Sequence, residues 1–279
     1  MKKTLRLFKP ILIFAILILF TLNTYGGNIE KFVVKFVDAT TAKPIQGVEV
    51  EFTKKGHKVT ALTDERGYIT IWNGPFTEKD NKNGLIDFVA SADGYATLKD
   101  QSPCNQRELA LSPGGTHAYR IVLHWGRKPE DLDSHLWFRN NHIFYKYMPH
   151  QRGTVEHSKA VKKLKAYLDV DDVDGDGPET VTIHETLRNE RYYYYVHDYT
   201  NRQKSRSNRL SAVSDARVYV YKGKSEETLM TFRVPSNGEK GNLWKVFYID
   251  TDGKIVKVNQ IVYKESPSGE GEEPEPWHD

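Results

Sequence analysis

The chain has 279 residues and a mass of 32.1 kDa with mean hydropathy −0.62, a length that suits about two domains. With 38% hydrophobic and 28% charged residues, it is not a disordered, collagenous or disulfide-rich chain. The formal charge of +3 includes Lys2, Lys3, Arg6 and Lys9; beyond residue 26 there remain 36 basic against 37 acidic groups, a net of −1, which excludes a polycation built for nucleic acid.

Met1 to Gly26 reads as a secretory signal. A basic stretch precedes the apolar run Ile11 to Phe20, and small residues Thr24 and Gly26 stand where a cleavage site wants them. The apolar run falls short of the roughly 20 residues that span a bilayer. Cleavage after Gly26 is therefore expected, giving a secreted or periplasmic chain with no transmembrane anchor. Cys104 is the single cysteine, so no internal disulfide and no cysteine metal motif can form. An exported chain of this kind has to be stable through packing.

From Phe32 onward, short alternating apolar segments are separated by Gly, Asn, Asp and Pro, the pattern of an all-β fold. Strands are expected at Phe32–Val37, Val48–Phe52, Tyr68–Trp72 and Ile86–Ala90. A second series runs through Tyr119–Trp125, His135–Phe138, His142–Tyr145, Thr180–Ile183, Tyr192–Val196, Ala216–Tyr221, Met230–Val234 and Trp244–Ile249. The single helical expectation covers His157 to Leu168, where Val161, Leu164 and Leu168 would share one side. Ser112-Pro-Gly-Gly-Thr116 cannot continue a strand and punctuates the chain. This predicts a β-sandwich over 27–113, a larger sandwich over 114–264, and a disordered acidic tail over 265–279.

In the first unit, the polar loop between Val37 and Val48, the turn Thr63-Asp-Glu-Arg-Gly67 and the pair Gly94-Tyr95 occur in an order that resembles carboxypeptidase regulatory-like (transthyretin-like) modules, over about residues 30 to 100. The resemblance implies a seven-stranded sandwich without chemistry. Asp64 and Asp93 sit beside turn glycines and are read as backbone caps.

Eight of the ten histidines lie between His117 and His197. The same interval holds Asp131-Leu-Asp-Ser-His-Leu136, His142-Ile-Phe-Tyr145, Leu168-Asp-Val-Asp-Asp172, Gly177-Pro-Glu-Thr180 and Val196-His-Asp198, and Trp244-Lys-Val-Phe247 follows later. This ordered series resembles the YfaP family of secreted bacterial proteins across residues 118 to 263. It implies an exported Ig-like or jelly-roll-like sandwich with no settled activity. The stretch Lys146 to Ala166 looks like an insertion relative to that pattern.

Two candidate metal sites follow from the residues. On an extended strand Asp131, Asp133 and His135 share a face, and residues two apart lie about 7 Å from each other, so at most two of them can serve one ion. Asp133 with His135, joined by His197 from a neighbouring strand, makes a mixed N/O set suited to zinc or another transition metal. Histidines hydrogen-bonded to Asp partners are the bland alternative. The run Asp172-Val-Asp-Gly-Asp-Gly177 matches the opening of a calcium loop, although Ile183 stands where the closing Glu belongs. The calcium-type set is therefore drawn as Asp169, Asp171, Asp172, Asp174, Asp176 and Glu179, with calcium favoured over zinc as the cofactor; a solvated acidic loop is the alternative.

Tyr193, Tyr195 and His197 alternate onto one face of a strand, where the tyrosines offer a strip for sugar or protein. Lys159, Lys162, Lys163 and Lys165, and Arg202, Lys204, Arg206 and Arg209, form two basic clusters, the usual appearance of solvated loops. No Ser nucleophile elbow, HExxH, phosphate loop or dinucleotide fingerprint is present. The sequence favours an exported, non-catalytic binding or structural protein, with an extracellular protein or polysaccharide as partner and no nucleic acid. The alternative is a metal-dependent hydrolase of an envelope or extracellular polymer, with Glu179 as base.

Overall fold

The structure, a computed structural model, describes residues 31–72, 76, 86–102, 107–148 and 163–265. The signal segment, Cys104, Lys159, Lys162, the first half of the expected helix and nearly all of the acidic tail lie outside them.

The fold is all-β. Its first seven strands are β1 (Lys31–Asp38), β2 (Glu49–Lys54), β3 (His57–Leu62), β4 (Tyr68–Trp72), β5 (Ile86–Ser91), β6 (Leu98–Ser102) and β7 (Arg107–Leu111). They form a three-stranded sheet in the order β4-β1-β7 and a four-stranded sheet in the order β3-β2-β5-β6. Period-two alternation turns Val34 and Phe36 of β1, Val50 and Phe52 of β2 and Phe88 of β5 into one buried cluster. Asp64 is a turn cap, its Oδ1 accepting from the backbone N–H groups of Arg66 and Tyr68.

Ten further strands follow: β8 (Tyr119–His124), β9 (Asp133–Phe138), β10 (Asn141–Ile143), β11 (Ala166–Val170), β12 (Glu179–Ile183), β13 (Tyr192–His197), β14 (Arg217–Lys222), β15 (Met230–Arg233), β16 (Leu243–Ile249) and β17 (Ile255–Val262). Two five-stranded sheets result, ordered β10-β9-β13-β16-β17 and β11-β12-β8-β14-β15. Between them lies a core that includes Leu123, Trp125, Leu136, Phe138, Tyr194, Trp244 and Phe247. The indole N–H groups of the two tryptophans are satisfied: Trp125 donates to the Pro129 carbonyl and Trp244 to Asn259.

Of the expected helix, Lys163 and Leu164 form a helical turn, and from Ala166 onward the chain is strand instead. Ala166–Val170 is strand β11, paired with β12 so that Leu168 lies opposite Val181. The even spacing of Leu164, Ala166 and Leu168, all buried, matches a strand face as well as a helix side, and pairing with β12 decides between them.

β8 is buried on both faces. Its Tyr119, Ile121 and Leu123 enter the larger core, whereas Val122, with Tyr219 and Tyr221 of β14, joins the first cluster. The seam is polar as well as apolar. His124 Nε2 accepts from Ala110 N at 3.0 Å, and Arg120 donates to Ser112 and to the Pro113 carbonyl. Arg217 pairs with Asp100 at 2.9 Å.

A candidate metal centre at one end of the larger sandwich

β9 and β13 run antiparallel with His197 opposite Asp133 and Tyr195 opposite His135. Directly opposed residues have Cβ atoms about 5 Å apart, and Asp133 and His135 are two apart on one strand. The geometry of a paired sheet therefore gathers Asp133, His135 and His197 on one face, with one ligand-type atom from each within 4.8 Å of the others. His135 and His197 are completely buried and Asp133 is 8% exposed. His197 Nδ1 stands 3.9 Å from Asp133 Oδ2, beyond ordinary hydrogen-bond length.

His135 is oriented from behind. Its Nδ1 lies 2.8 Å from His142 Nε2, its ring stacks on Tyr195 at 4.7 Å, and Trp137 donates to the Tyr195 hydroxyl at 2.8 Å. With Nδ1 engaged by His142, a ligand role falls to Nε2, and the His–His bond sets the tautomer as outer partners of metal-bound histidines do. Burial, with smaller contributions from His142 and His197, holds His135 well below the usual histidine range. Burial likewise brings His142 down to about 3. Both rings are thus neutral at pH 7, the form that ligates metal.

A second group shares Asp133. Glu179 opens β12 and points into the interior, fully buried, and its Oε2 accepts from Ser134 N at 2.5 Å. Asp133, Asp171 and Glu179 also offer ligand-type oxygens within 4.8 Å of one another. Burial raises Glu179 well above the usual carboxyl range, and the negative charges of Asp133 and Asp171 raise it further. Burial also raises Asp171.

The calcium-type loop does not close as a loop. Asp172 Oδ1 receives the backbone N–H groups of Asp174 and Gly175, Asp174 is exposed, and Asp176 stands 3.7 Å from Arg127. Asp169 projects from the opposite face of β11, toward Thr182 and Arg120. The glycines serve packing: a Cβ on Gly175 would meet the Arg127 carbonyl at 3.0 Å, and one on Gly177 would meet the Trp125 ring at 3.0 Å. Of that predicted set, Asp171 and Glu179 alone converge, and their third partner is Asp133 of the other set.

The tyrosine strip is also corrected. Tyr195 is completely buried because it packs on His135 and Trp137, while Tyr193 is half-buried and faces Tyr248 at 5.7 Å between ring centroids. Sequence reasoning missed His142, whose signal was available: it lies on the short β9–β10 hairpin, opposite Trp137.

A catalytic use of the centre requires a path for substrate, and Asp133, His135 and His197 are buried. Two open surface grooves lie elsewhere, one along the loop Asn201–Arg209 and one beside Ile45, Asp93 and Tyr95. Among the described residues no helix is long and apolar enough to cross a membrane.

No protein-family model matches the chain, and no curated protein matches it. Among solved structures, a streptococcal ancillary pilin shares 17% identity over 60% of this chain and 52% of its own, with a TM-score of 0.22. A DUF3823 family protein from Bacteroides ovatus shares 10% identity over 74% of this chain and 100% of its own, with a TM-score of 0.21. Fervidolysin from Fervidobacterium pennivorans, a keratinolytic enzyme related to subtilisin, shares 9% over 85% of this chain and 33% of its own, at 0.21. The chain spans about half the length of the pilin and a third of that of the protease.

Proposed function

We propose that the chain is an exported, non-catalytic binding or structural protein of the cell envelope or extracellular space, whose larger sandwich is held closed at one end by a divalent cation. Asp133, His135 and His197 are the ligands of that cation, and an N/O set of this kind suits zinc. The observation that carries this proposal is the convergence of the three side chains under near-complete burial. A structural ion is shut in by its surroundings, whereas a catalytic one keeps an open position.

The cation ties the start of β9 to the end of β13 and leaves the outer surfaces of both sandwiches for an extracellular protein or polysaccharide. Export rests on the segment Met1 to Gly26, and the likeness of residues 118 to 263 to the YfaP family, after a carboxypeptidase regulatory-like module, belongs to the same proposal. The test is elemental analysis of the purified chain, followed by thermal melting with and without chelator. A bound dication and a Tm that drops on chelation support the proposal. No bound metal together with an unchanged Tm would remove it.

A further inference from the structure

We infer that the same end of the larger sandwich holds a second, hard divalent cation between Asp133, Asp171 and Glu179, with the Asp133 carboxylate shared between the two ions. This rests on the histidine-bearing site being a metal site, as proposed above, and adds a second site of different chemistry.

Glu179 supplies the decisive observation. Its side chain is completely buried, and Oε2 is satisfied by Ser134 N. Oε1, by contrast, is buried with no hydrogen-bond donor. The group it meets is the Asp171 carboxyl, which can hydrogen-bond Glu179 only when one of the two carries a proton and is otherwise another acceptor. Neither Asp171 nor Glu179 forms an ion pair with a Lys or Arg among the described residues. The titratable groups facing the pair are Asp133, from β9, the Tyr194 hydroxyl and, behind Asp133, His197 and His135, the last held neutral by burial.

Three carboxylates, Asp133 and Glu179 buried and Asp171 half-buried, repel one another unless a positive charge sits among them. A proton shared by Asp171 and Glu179 would relieve part of this repulsion. A dication relieves more of it, and three oxygens at mutual distances within 4.8 Å are a set that hard cations such as calcium or manganese accept. A bridging carboxylate between two neighbouring ions is a recurring feature of two-metal sites, where the ions lie about 3.5–4 Å apart. The zinc-type site uses nitrogen and one oxygen; this one uses oxygen alone. The two sites therefore select different metals.

The experiment uses the full mature chain, stripped with chelator and re-equilibrated with zinc and calcium, with bound metal counted by elemental analysis. Two equivalents, one zinc and one calcium, are expected. Glu179→Gln should keep the zinc and lose the calcium, and His197→Gln should do the reverse. Zinc alone, unaffected by Glu179→Gln, overturns the second site, assigns the Asp171–Glu179 pair to a shared proton and leaves the first proposal standing. Calcium alone, lost in Glu179→Gln, supports the carboxylate site and overturns the zinc reading. No metal at all overturns both. Should a variant fail to fold, the parent decides: with zinc saturating, calcium at a hundredfold excess over its Kd should raise Tm by about 5–10 °C, and no rise overturns the inference.

Discussion

Asp100 on β6 is the polar hub of the seam between the two sandwiches. Its side chain is 4% exposed and pairs with Arg217, which is 1% exposed, at 2.9 Å. It also accepts from the Tyr219 hydroxyl and from Arg233. Burial alone would lower the Arg217 pKa; Tyr219, Asp100 and Asp215 outweigh it and leave the guanidinium raised above its usual value. Asp100→Asn keeps the shape and removes the charge, and a single amide oxygen cannot serve three donors. Removing one member of a buried pair costs about 3–5 kcal/mol because a charge is left stranded. Two features reduce that here: Arg217 still reaches Asp215 at 3.2 Å, and Arg233 is 42% exposed and can return to water. A loss of about 2–3 kcal/mol is the result, equivalent to a fall in Tm of roughly 5–10 °C for a domain of this size. Urea unfolding of the full chain, followed by tryptophan fluorescence, measures it. A loss below about 0.5 kcal/mol, the scale of an ordinary surface substitution, would refute the idea that this carboxylate joins the two units.

Gly177→Ala combines a positive φ of 70° with a Cβ at 3.0 Å from the Trp125 ring, and a destabilisation of about 1–3 kcal/mol is expected in denaturant melts; a neutral variant would show that the loop is not pressed on Trp125. Asp169 has its pKa raised to about 7 by burial, with Thr182 and Arg120 offsetting part of the effect. A raised carboxyl pKa gives stability that is complete below the unfolded value near 3.8 and is lost as pH rises through 7, with a ceiling of about 4 kcal/mol across that window. Asp169→Asn should therefore gain on the parent between pH 4 and pH 8, and stability curves that stay parallel across this range would contradict the assignment. His142→Ala removes the partner that sets the His135 tautomer, so zinc affinity by competitive titration should weaken about 10–100-fold without being abolished. An unchanged affinity would mean that His142 has no part in the centre.

The all-β character was legible because period-two alternation is a direct consequence of one face being buried. The strands it missed are edge or polar ones: β3 and β17 bury little on either face, and β6 reads Leu-Lys-Asp-Gln-Ser. Tertiary pairing makes these strands, so local pattern does not announce them. β11 was mistaken for helix because a four-residue leucine spacing satisfies both periods. At the site, Asp133 and His135 were readable from strand spacing, and His197 from the Val-His-Asp strand end. The meeting of Asp133 with Asp171 and Glu179 was not readable, since it depends on how the ends of two different sheets approach each other. The aspartates of the apparent calcium loop were misleading for a local reason: Asp172 is spent on its own turn, Asp176 lies beside Arg127, and Asp169 alternates onto the far face.

The most direct measurement is anomalous diffraction at the zinc edge on crystals of the mature chain purified without chelator. A peak is expected about 2.0–2.2 Å from a carboxylate oxygen of Asp133 and from one ring nitrogen each of His135 and His197. A featureless map over three ordered side chains, after growth in medium containing zinc, would contradict it.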